Sequence, residues 1–254
     1  MANSRKKVPV IGTLMFFIMT LSCSVVKEHR DPCPCRLEIR LEGTLGAPAT
    51  VLVSTAGDSW QLKAYSDTVM TLDVPREEVS VTAWTGVPSL EGFSIPEGYE
   101  APQLRHFHTR FTARGELFSV NATLRKHYCT LKISVEGPPG WGEPFSTLVR
   151  GNVNGLSLTG APLHGVFSCT PSPHGDGWTV RLPRQEHDSP LMLDIVMPDA
   201  ILRTFSLGSY LQNASYDWYA PDLSDVELHM NLSVTSLDLV SPDWSHSVSL
   251  SVEI

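Results

Sequence analysis

The chain has 254 residues, of which 42% are hydrophobic and 18% are charged, and it contains five cysteines. This length can bury one or two cores, and the composition excludes a disordered chain and a small scaffold held together by disulfides. The net charge is -8. An acidic surface repels phosphate backbones, so nucleic acid is not an expected partner.

Residues 1–22 have the layout of a secretory signal peptide. Three basic residues at 5–7 precede a largely apolar run at 8–21, and a small residue, Ser22, ends the segment. The run is too short to span a bilayer comfortably, which takes about 20 apolar residues. Removal of this segment takes away three of the 19 basic residues and no acidic one, so the net charge of the remainder is -11.

Cys23 is the predicted site of lipid attachment. Leu21-Ser22-Cys23 resembles the lipobox of bacterial lipoproteins, in which this cysteine becomes the mature N-terminus and carries acyl chains. Several acyl chains hold a protein on a membrane stably, at about 0.8 kcal/mol per buried methylene. Residues 23–32 are then a lipidated tether. The alternative is an uncleaved N-terminal anchor helix that happens to end at this cysteine.

From Cys35 onward, apolar residues alternate with polar ones, which is typical of strands that are wet on one side. Turn signals rich in glycine and proline separate these segments, and the only good helix candidate is short, at about 206–213. The fold class predicted is therefore all-β. The predicted strands lie at 37–41, 50–54, 68–74, 78–84, 118–124, 131–135, 148–158, 178–182, 191–197, 226–234 and 248–254.

A sequence pattern that occurs twice predicts two successive β-sandwiches. Cys35-Arg-Leu-Glu-Ile-Arg-Leu-Glu42 is repeated in pattern 94 residues later by Cys129-Thr-Leu-Lys-Ile-Ser-Val-Glu136. Two similar opening strands at this spacing favour domains at 33–125 and 126–254, closely coupled because the join is short. A chance likeness of two amphipathic strands is the alternative.

The sequence offers no catalytic constellation, no metal site and no cofactor motif, so the chain is not expected to be an enzyme. Cys129 and Cys169 form a plausible disulfide within the second domain, while Cys33 and Cys35 are expected to be free. Cys35 and Cys129 lie on the apolar faces of their strands, where each can serve as a small buried hydrophobe. The pair in His106-Phe-His108 is expected to be exposed on a loop or strand edge.

Two stretches carry motifs that are informative in combination. The first runs from Cys23 to Cys35, with a charged tether and an Asp-Pro-Cys-Pro-Cys opening. The second combines a Leu-Gly-x-Tyr helix, a Tyr-Asp-Trp turn, a leucine before a strand and a late tryptophan. Together the two stretches resemble FimB-like fimbrial anchor lipoproteins of Bacteroidia, which build type V fimbriae. These motif residues are expected to maintain the fold: Leu207, Gly208, Tyr210, Tyr216, Asp217, Trp218, Leu223 and Trp244.

The resemblance implies two transthyretin-like sandwiches, held in the outer membrane by the lipid, facing outward and attaching a fimbrial shaft to the cell. It also implies fimbrillin shaft subunits as partners, joined by β-strand complementation. The C-terminal strand, 247–254, is either the last strand of the second domain or a donor.

Two alternatives remain open: a fimbrial tip or accessory adhesin, and a surface glycan-binding lipoprotein. The glycan-binding alternative would use exposed tryptophans to stack on sugars. The candidates are Trp60, Trp84, Trp141 and Trp178.

Overall fold

The structure is a computed structural model, and it describes the chain from residue 33 onward with short gaps. The predicted signal peptide, Cys23 and the tether lie outside the described residues. Within the described part, no helix is long and apolar enough to cross a membrane. The described ranges are 33–44, 46–65, 67–90, 93–136, 146–175, 177–187, 190–197, 200–231, 236–241 and 244–249.

The first half of the described chain contains eight strands in two sheets. Most alternate between a buried and an exposed face, which follows from the two-residue period of their apolar side chains. The strands are β1 (Cys35–Glu42), β2 (Ala49–Ser54), β3 (Ser59–Ala64), β4 (Val69–Val74), β5 (Glu78–Thr85), β6 (Arg105–Thr112), β7 (Leu117–Thr123) and β8 (Arg125–Lys126).

These strands form a three-stranded sheet in the order β4, β1, β7 and a five-stranded sheet in the order β3, β2, β5, β6, β8. One hydrophobic cluster takes side chains from both sheets, such as Leu37 and Ile39 from β1 and Val51 and Val81 from β2 and β5. The two sheets therefore form a sandwich around a common core.

The second half contains ten strands and one short helix. The helix, α1 (Leu207–Asn213), packs Leu207 and Leu211 into the adjoining core. The strands are β9 (Tyr128–Glu136), β10 (Ser146–Leu156), β11 (Pro162–Cys169), β12 (Ser172–His174), β13 (Gly177–Pro183), β14 (Met192–Met197), β15 (Ala200–Phe205), β16 (Val226–Asn231), β17 (Ser236–Ser241) and β18 (Trp244–Ser249).

These strands form a four-stranded sheet in the order β11, β10, β14, β15 and a six-stranded sheet in the order β12, β13, β9, β16, β17, β18. A second hydrophobic cluster joins the two sheets. The prediction of an all-β chain is confirmed, with α1 as the single helix among the described residues. The transthyretin-like topology and the domain boundary at 125/126 stay predictions.

The two strands that carry the repeated sequence pattern, β1 and β9, occupy equivalent positions in their sheets. Both β1 and β9 have an antiparallel neighbour on one side, β4 or β13, and a parallel neighbour on the other, β7 or β16. Cys35 pairs with Val74, and Cys129 pairs with Leu182. The repeat in sequence is thus a repeat in topology, and it allows each strand of one half to be compared with its counterpart in the other.

A segment between β5 and β6 crosses from the first half to the second. It forms an isolated bridge from Ser94 to Gly155 on β10, and the amide of Ala101 donates to the carbonyl of Arg181 on β13. A Cβ at Gly155 would lie 2.3 Å from the carbonyl oxygen of Phe93, so only glycine permits this close approach. A third hydrophobic cluster lies alongside, formed by Trp84, Leu90, Leu104 and Leu156.

Candidate functional site

The outer edge of β7 has no strand partner among the described residues. The amide of Arg36 donates to the carbonyl of Glu116, and the amide of Leu124 donates to the carbonyl of Glu42. Because the direction of backbone hydrogen bonding alternates along a strand, the even-numbered residues of β7 bond to β1. The amides of Ser119 and Asn121 therefore point away from the sheet, where they are available to another strand.

The core-facing side chains of β7 are incompletely covered at their first position. Phe118 is half-buried and stacks on the half-buried Phe111 of β6, with 4.1 Å between ring centroids and 6° between ring planes. Phe118 pairs with Leu37 of β1. Two partly exposed phenyl rings therefore lie at the rim of the first core on this side.

The counterpart of β7 in the second half, β16, is covered. Val226 pairs with Leu131 as Phe118 pairs with Leu37, so the two positions are equivalent. Val226 is 1% exposed and belongs to the second core, and β17 pairs along the outer edge of β16 from Glu227 onward. The second half thus contains the strand that the described part of the first half lacks at β7.

The motif residues lie in the second half, and their role in maintaining the fold stays a prediction. Leu207, Gly208 and Leu223 are buried, and the amide of Gly208 donates to the carbonyl of Leu191. Trp244 begins β18 and pairs with Ser241, which leaves residues 250–254 of the predicted C-terminal strand outside the described part.

The aromatic turn after α1 is packed and hydrogen-bonded. Tyr216 and Trp218 meet edge to face at 4.7 Å, and the hydroxyl of Tyr216 donates to the carbonyl of Ser224 at 2.7 Å. Asp217 accepts the amide of Tyr219, while Tyr210 packs against the core. Packing and hydrogen bonds therefore hold the turn, which supplies backbone acceptors to a buried arginine.

That arginine, Arg184, ties the aromatic turn to the start of the second half. Its guanidinium donates to the carbonyls of Trp218, Ala220, Pro221 and Lys126. Its Nε donates to Nδ1 of His127 at 3.1 Å. Burial lowers the pKa of Arg184, while the nearby Tyr216 and two carboxylates act in the opposite direction.

Two neutral histidines lie against this arginine. The rings of His106 and His127 meet edge to face at 5.3 Å, and Nε2 of His106 lies 2.9 Å from the carbonyl of Leu158. Burial lowers the pKa of His106 to about 4. Burial, with the charge of Arg184 added, lowers the pKa of His127 to about 3. Both imidazoles are therefore neutral at physiological pH.

The expectation that His106 and His108 are both exposed is wrong for His106, which is 3% exposed. It lies on β6, on the face of the five-stranded sheet that the loop after β10 covers, and the carbonyl of Leu158 satisfies its ring. His108 is half-buried, with Nδ1 2.9 Å from the hydroxyl of Thr82. The sequence carried no signal for this loop, because the contact spans 52 residues.

A cavity of about 570 Å³ opens beside the histidines. The covered sheet face, the loop between β10 and β11, and the residues after the aromatic turn all contribute to its walls. The lining residues are His106, Phe107, His108, Arg125, His127, Thr159, Gly160, Ala161, Pro162, Arg184, Tyr219, Ala220 and Pro221.

The described cysteines are all free thiols in the structure. Cys35 and Cys129 are buried, as their positions on the apolar faces predicted. Cys129 and Cys169 belong to the same hydrophobic cluster, but the disulfide predicted between them is not formed here. Burial raises the pKa of Cys129 to about 12, so this thiol is unreactive while it stays buried.

The described tryptophans that were candidates for sugar stacking are buried or half-buried against the hydrophobic clusters. Trp84 is 4% exposed, and Trp60 and Trp178 pack half-buried against the first and second cores. Trp141 lies outside the described residues. Among the residues that the structure describes, no group of three or more potential ligands could hold a metal ion.

No family model and no curated protein match the sequence. Solved structures do match. A predicted polysaccharide-binding protein from Bacteroides thetaiotaomicron is 13% identical, with a TM-score of 0.62, and the match covers 84% of this chain and 98% of that one. The fimbrial anchor protein Mfa2 from Porphyromonas gingivalis is 10% identical, with a TM-score of 0.59 and coverage of 85% and 100%.

A candidate adhesin from Bacteroides ovatus is 12% identical, with a TM-score of 0.58 and coverage of 89% and 98%. At these identities the likeness shows a common fold over nearly the whole length of each neighbour. The structural neighbours thus include a fimbrial anchor protein and a candidate adhesin, which agrees with the resemblance to a fimbrial family that the sequence carries.

Proposed function

We propose that this chain is a fimbrial subunit that anchors a fimbrial shaft to the outer membrane. In this proposal a lipid on Cys23 holds the chain at the cell surface, and the shaft subunit contributes a β-strand to its first sandwich. The observation that carries the proposal is the open edge of β7, next to a half-buried Phe118. The lipobox resemblance and the shared fold with a fimbrial anchor support the same role.

The second half of the chain indicates how an incoming strand would bind. There β17 runs antiparallel along the outer edge of β16 and covers it. A donor strand placed in the same way along β7 would accept hydrogen bonds from the amides of Ser119 and Asn121. Its alternate side chains would cover Phe118 and Phe111, so that main-chain bonds give affinity and the filled rim gives specificity.

The other edge of the three-stranded sheet, at β4, serves as an internal comparison. The amide of Leu41 donates to the carbonyl of Thr68, so the paired residues of β4 are the even-numbered ones and the amide of Thr71 points outward. The counterpart of β4 is β13, which is extended only by β12, a strand of three residues. The repeat therefore favours β7 over β4 as the site of complementation.

The test introduces proline into each edge. Ser119→Pro removes one outward amide from β7, and Thr71→Pro removes one from β4; both sites tolerate proline because neither amide bonds within the sheet. We expect Ser119→Pro to weaken binding of the purified shaft subunit to the full chain by at least about tenfold, from a lost hydrogen bond and a steric clash. We expect Thr71→Pro to bind normally.

Circular dichroism and a thermal melt of both variants separate a folding defect from a binding defect. Normal shaft binding by a folded Ser119→Pro variant contradicts complementation at β7. Loss of binding in the Thr71→Pro variant alone assigns the site to β4 instead. A shaft subunit that never binds the unaltered chain, while a distal fimbrial subunit does, would indicate a tip or accessory position.

A further inference from the structure

The cavity beside the histidines differs in charge from the rest of the chain. Two arginines, Arg125 and Arg184, and three histidines line it, and no aspartate or glutamate does. The chain as a whole carries a net charge of -8. Because His106 and His127 are neutral, the two arginines supply the positive charge of the lining. A lining with two guanidinium groups and no carboxylate, in an acidic protein, favours an anionic ligand.

The two arginines differ in how many of their N–H groups are already hydrogen-bonded. Arg184 is 7% exposed and its donors are directed at backbone carbonyls and at Nδ1 of His127, so it contributes charge rather than a free hydrogen bond. Arg125 is about half exposed, and its described bond to a side chain is a single one, from Nη1 to Asp222 at 3.0 Å. The remaining N–H groups of Arg125 can therefore bind a carboxylate.

His127 adds an oriented donor to the same wall. Its Nδ1 accepts a hydrogen bond from Arg184, so in the neutral ring the proton is on Nε2. Burial keeps that ring neutral, because it lowers the pKa to about 3. The facing groups that set this state are Arg184, His106 and Asp222.

At the mouth of the cavity, Tyr219 presents an aromatic ring to solvent. The side chain is 62% exposed, and its backbone amide is held by Asp217 at 2.8 Å. The ring of His187 meets it edge to face at 4.6 Å. An exposed aromatic ring beside polar donors can stack on the apolar face of a sugar ring.

We propose that this cavity binds an acidic saccharide. The sugar carboxylate bonds to Arg125 with the charge of Arg184 behind it, and the sugar ring packs on Tyr219. A volume of about 570 Å³ is in the ordinary range for small-ligand sites and accommodates one or two sugar units. This inference is independent of the anchoring role, since β7 contributes nothing to the cavity.

Isothermal titration calorimetry on the full chain in detergent tests the proposal with three kinds of probe. The acidic probes are 3′-sialyllactose and digalacturonic acid, the neutral probe is lactose, and inorganic phosphate tests for an anion site alone. We expect at least one acidic probe to bind more tightly than lactose by about tenfold or more, the effect of one charge-assisted hydrogen bond.

The variants assign the binding to the cavity. We expect Arg125→Gln and Tyr219→Ala each to lower the affinity for the acidic probe by about tenfold or more. Arg110→Gln is the matched control, because Arg110 lies on β6, is exposed, and pairs with Glu78 away from the cavity. Binding by this control is expected to be unchanged.

Three results would overturn the proposal. The first is that neither acidic probe binds at millimolar concentration. The second is that lactose or phosphate binds as tightly as the acidic probe. Equal binding of lactose would mean that the carboxylate does not contribute, and equal binding of phosphate would mean that the sugar ring does not. The third is that folded Arg125→Gln and Tyr219→Ala variants both bind the acidic probe normally.

Discussion

Arg184 shows how a single residue can hold distant parts of the chain together. Its guanidinium joins the carbonyl of Lys126 to carbonyls of the aromatic turn at 218–221. Those acceptors are more than 90 residues apart in sequence from Lys126. Hydrogen bonds from a charged donor to buried carbonyls contribute more to stability than ordinary ones. If the donor is removed, the buried carbonyls cannot form replacement hydrogen bonds with water.

We therefore predict that Arg184→Met lowers the free energy of unfolding by about 3 kcal/mol, the usual effect of removing one partner from a buried polar network. Urea unfolding followed by tryptophan fluorescence measures this change. Arg110→Met is the matched control and is expected to change stability by less than about 0.5 kcal/mol, because its partner Glu78 is exposed. Equal effects of the two substitutions would contradict this account of Arg184.

The neutral histidines predict a dependence of stability on pH. A histidine whose pKa is lowered by folding stabilises the fold above its ordinary pKa of about 6.5 and loses that contribution as the pH falls. With the pKa of His106 at about 4 and that of His127 at about 3, the loss begins near pH 6.5. As the pH falls from 7 to 5, we expect each of these two histidines to lower the free energy of unfolding by about 1 to 2 kcal/mol.

The double variant His106→Gln with His127→Gln tests this assignment. Its free energy of unfolding should be lower at pH 7 but flatter between pH 7 and pH 5. His174→Gln, at an exposed position, should keep the slope of the unaltered chain. The lowered carboxylate pKa values, such as that of Asp194, matter only at lower pH. A steep slope that survives in the double variant would contradict the role of these histidines.

At the scale of elements, the strands are where the sequence is most informative. Alternation predicted β1, β9 and β16, since one face of each is fully apolar. It gave no indication of β6, Arg105-His-Phe-His-Thr-Arg-Phe-Thr112, which has no aliphatic residue. One face of that strand is partly covered by the loop that carries Leu158, and the other packs Phe107 and Phe111 against the first core. Cover by residues this distant in sequence leaves no local pattern.

The candidate sites were less predictable than the strands. No short motif distinguishes β7 from β16, because both alternate in the same way and differ only in whether another strand pairs beside them. The cavity depends on loops that meet across the fold, so Arg184 and Tyr219 carry no local signal. The repeat of Cys35 and Cys129 was the signal that made the comparison between β7 and β16 possible.

The open edge of β7 predicts unequal hydrogen exchange in two equivalent strands. Ser119 and Asn121 have outward amides, whereas the amides of β16 lie between β9 and β17. In the free chain we expect β7 to exchange at least about tenfold faster than β16, because its outward amides meet water directly. Mass spectrometry of pepsin fragments measures both strands at once. Protection of β7 equal to that of β16 would show that another segment of the chain already covers this edge.

At the scale of the whole molecule, the proposed function requires attachment at the N-terminal end of the mature chain. We predict that Cys23→Ala moves the protein from the membrane fraction to the soluble fraction or the medium, because in this proposal acyl chains on Cys23 supply the membrane affinity. Cys33→Ala is the control, since Cys33 is an exposed thiol that the proposal gives no role. Fractionation of the Cys23→Ala variant with the membrane would contradict lipid attachment.

The two proposals use different parts of the same molecule. Attachment to the shaft belongs to the first sandwich, whereas saccharide binding belongs to the cavity beside Arg184. The hydrophobic cluster of Trp84, Leu90, Leu104 and Leu156 packs side chains of both halves together.

The central claim is that a strand of the shaft subunit pairs along β7, and hydrogen exchange of the full chain with and without bound shaft subunit tests it most directly. The account predicts that exchange at residues 117–123 slows at least about tenfold on binding, while exchange at 69–74 on the opposite edge is unchanged. Binding of the shaft subunit that leaves exchange at 117–123 unaltered would contradict it.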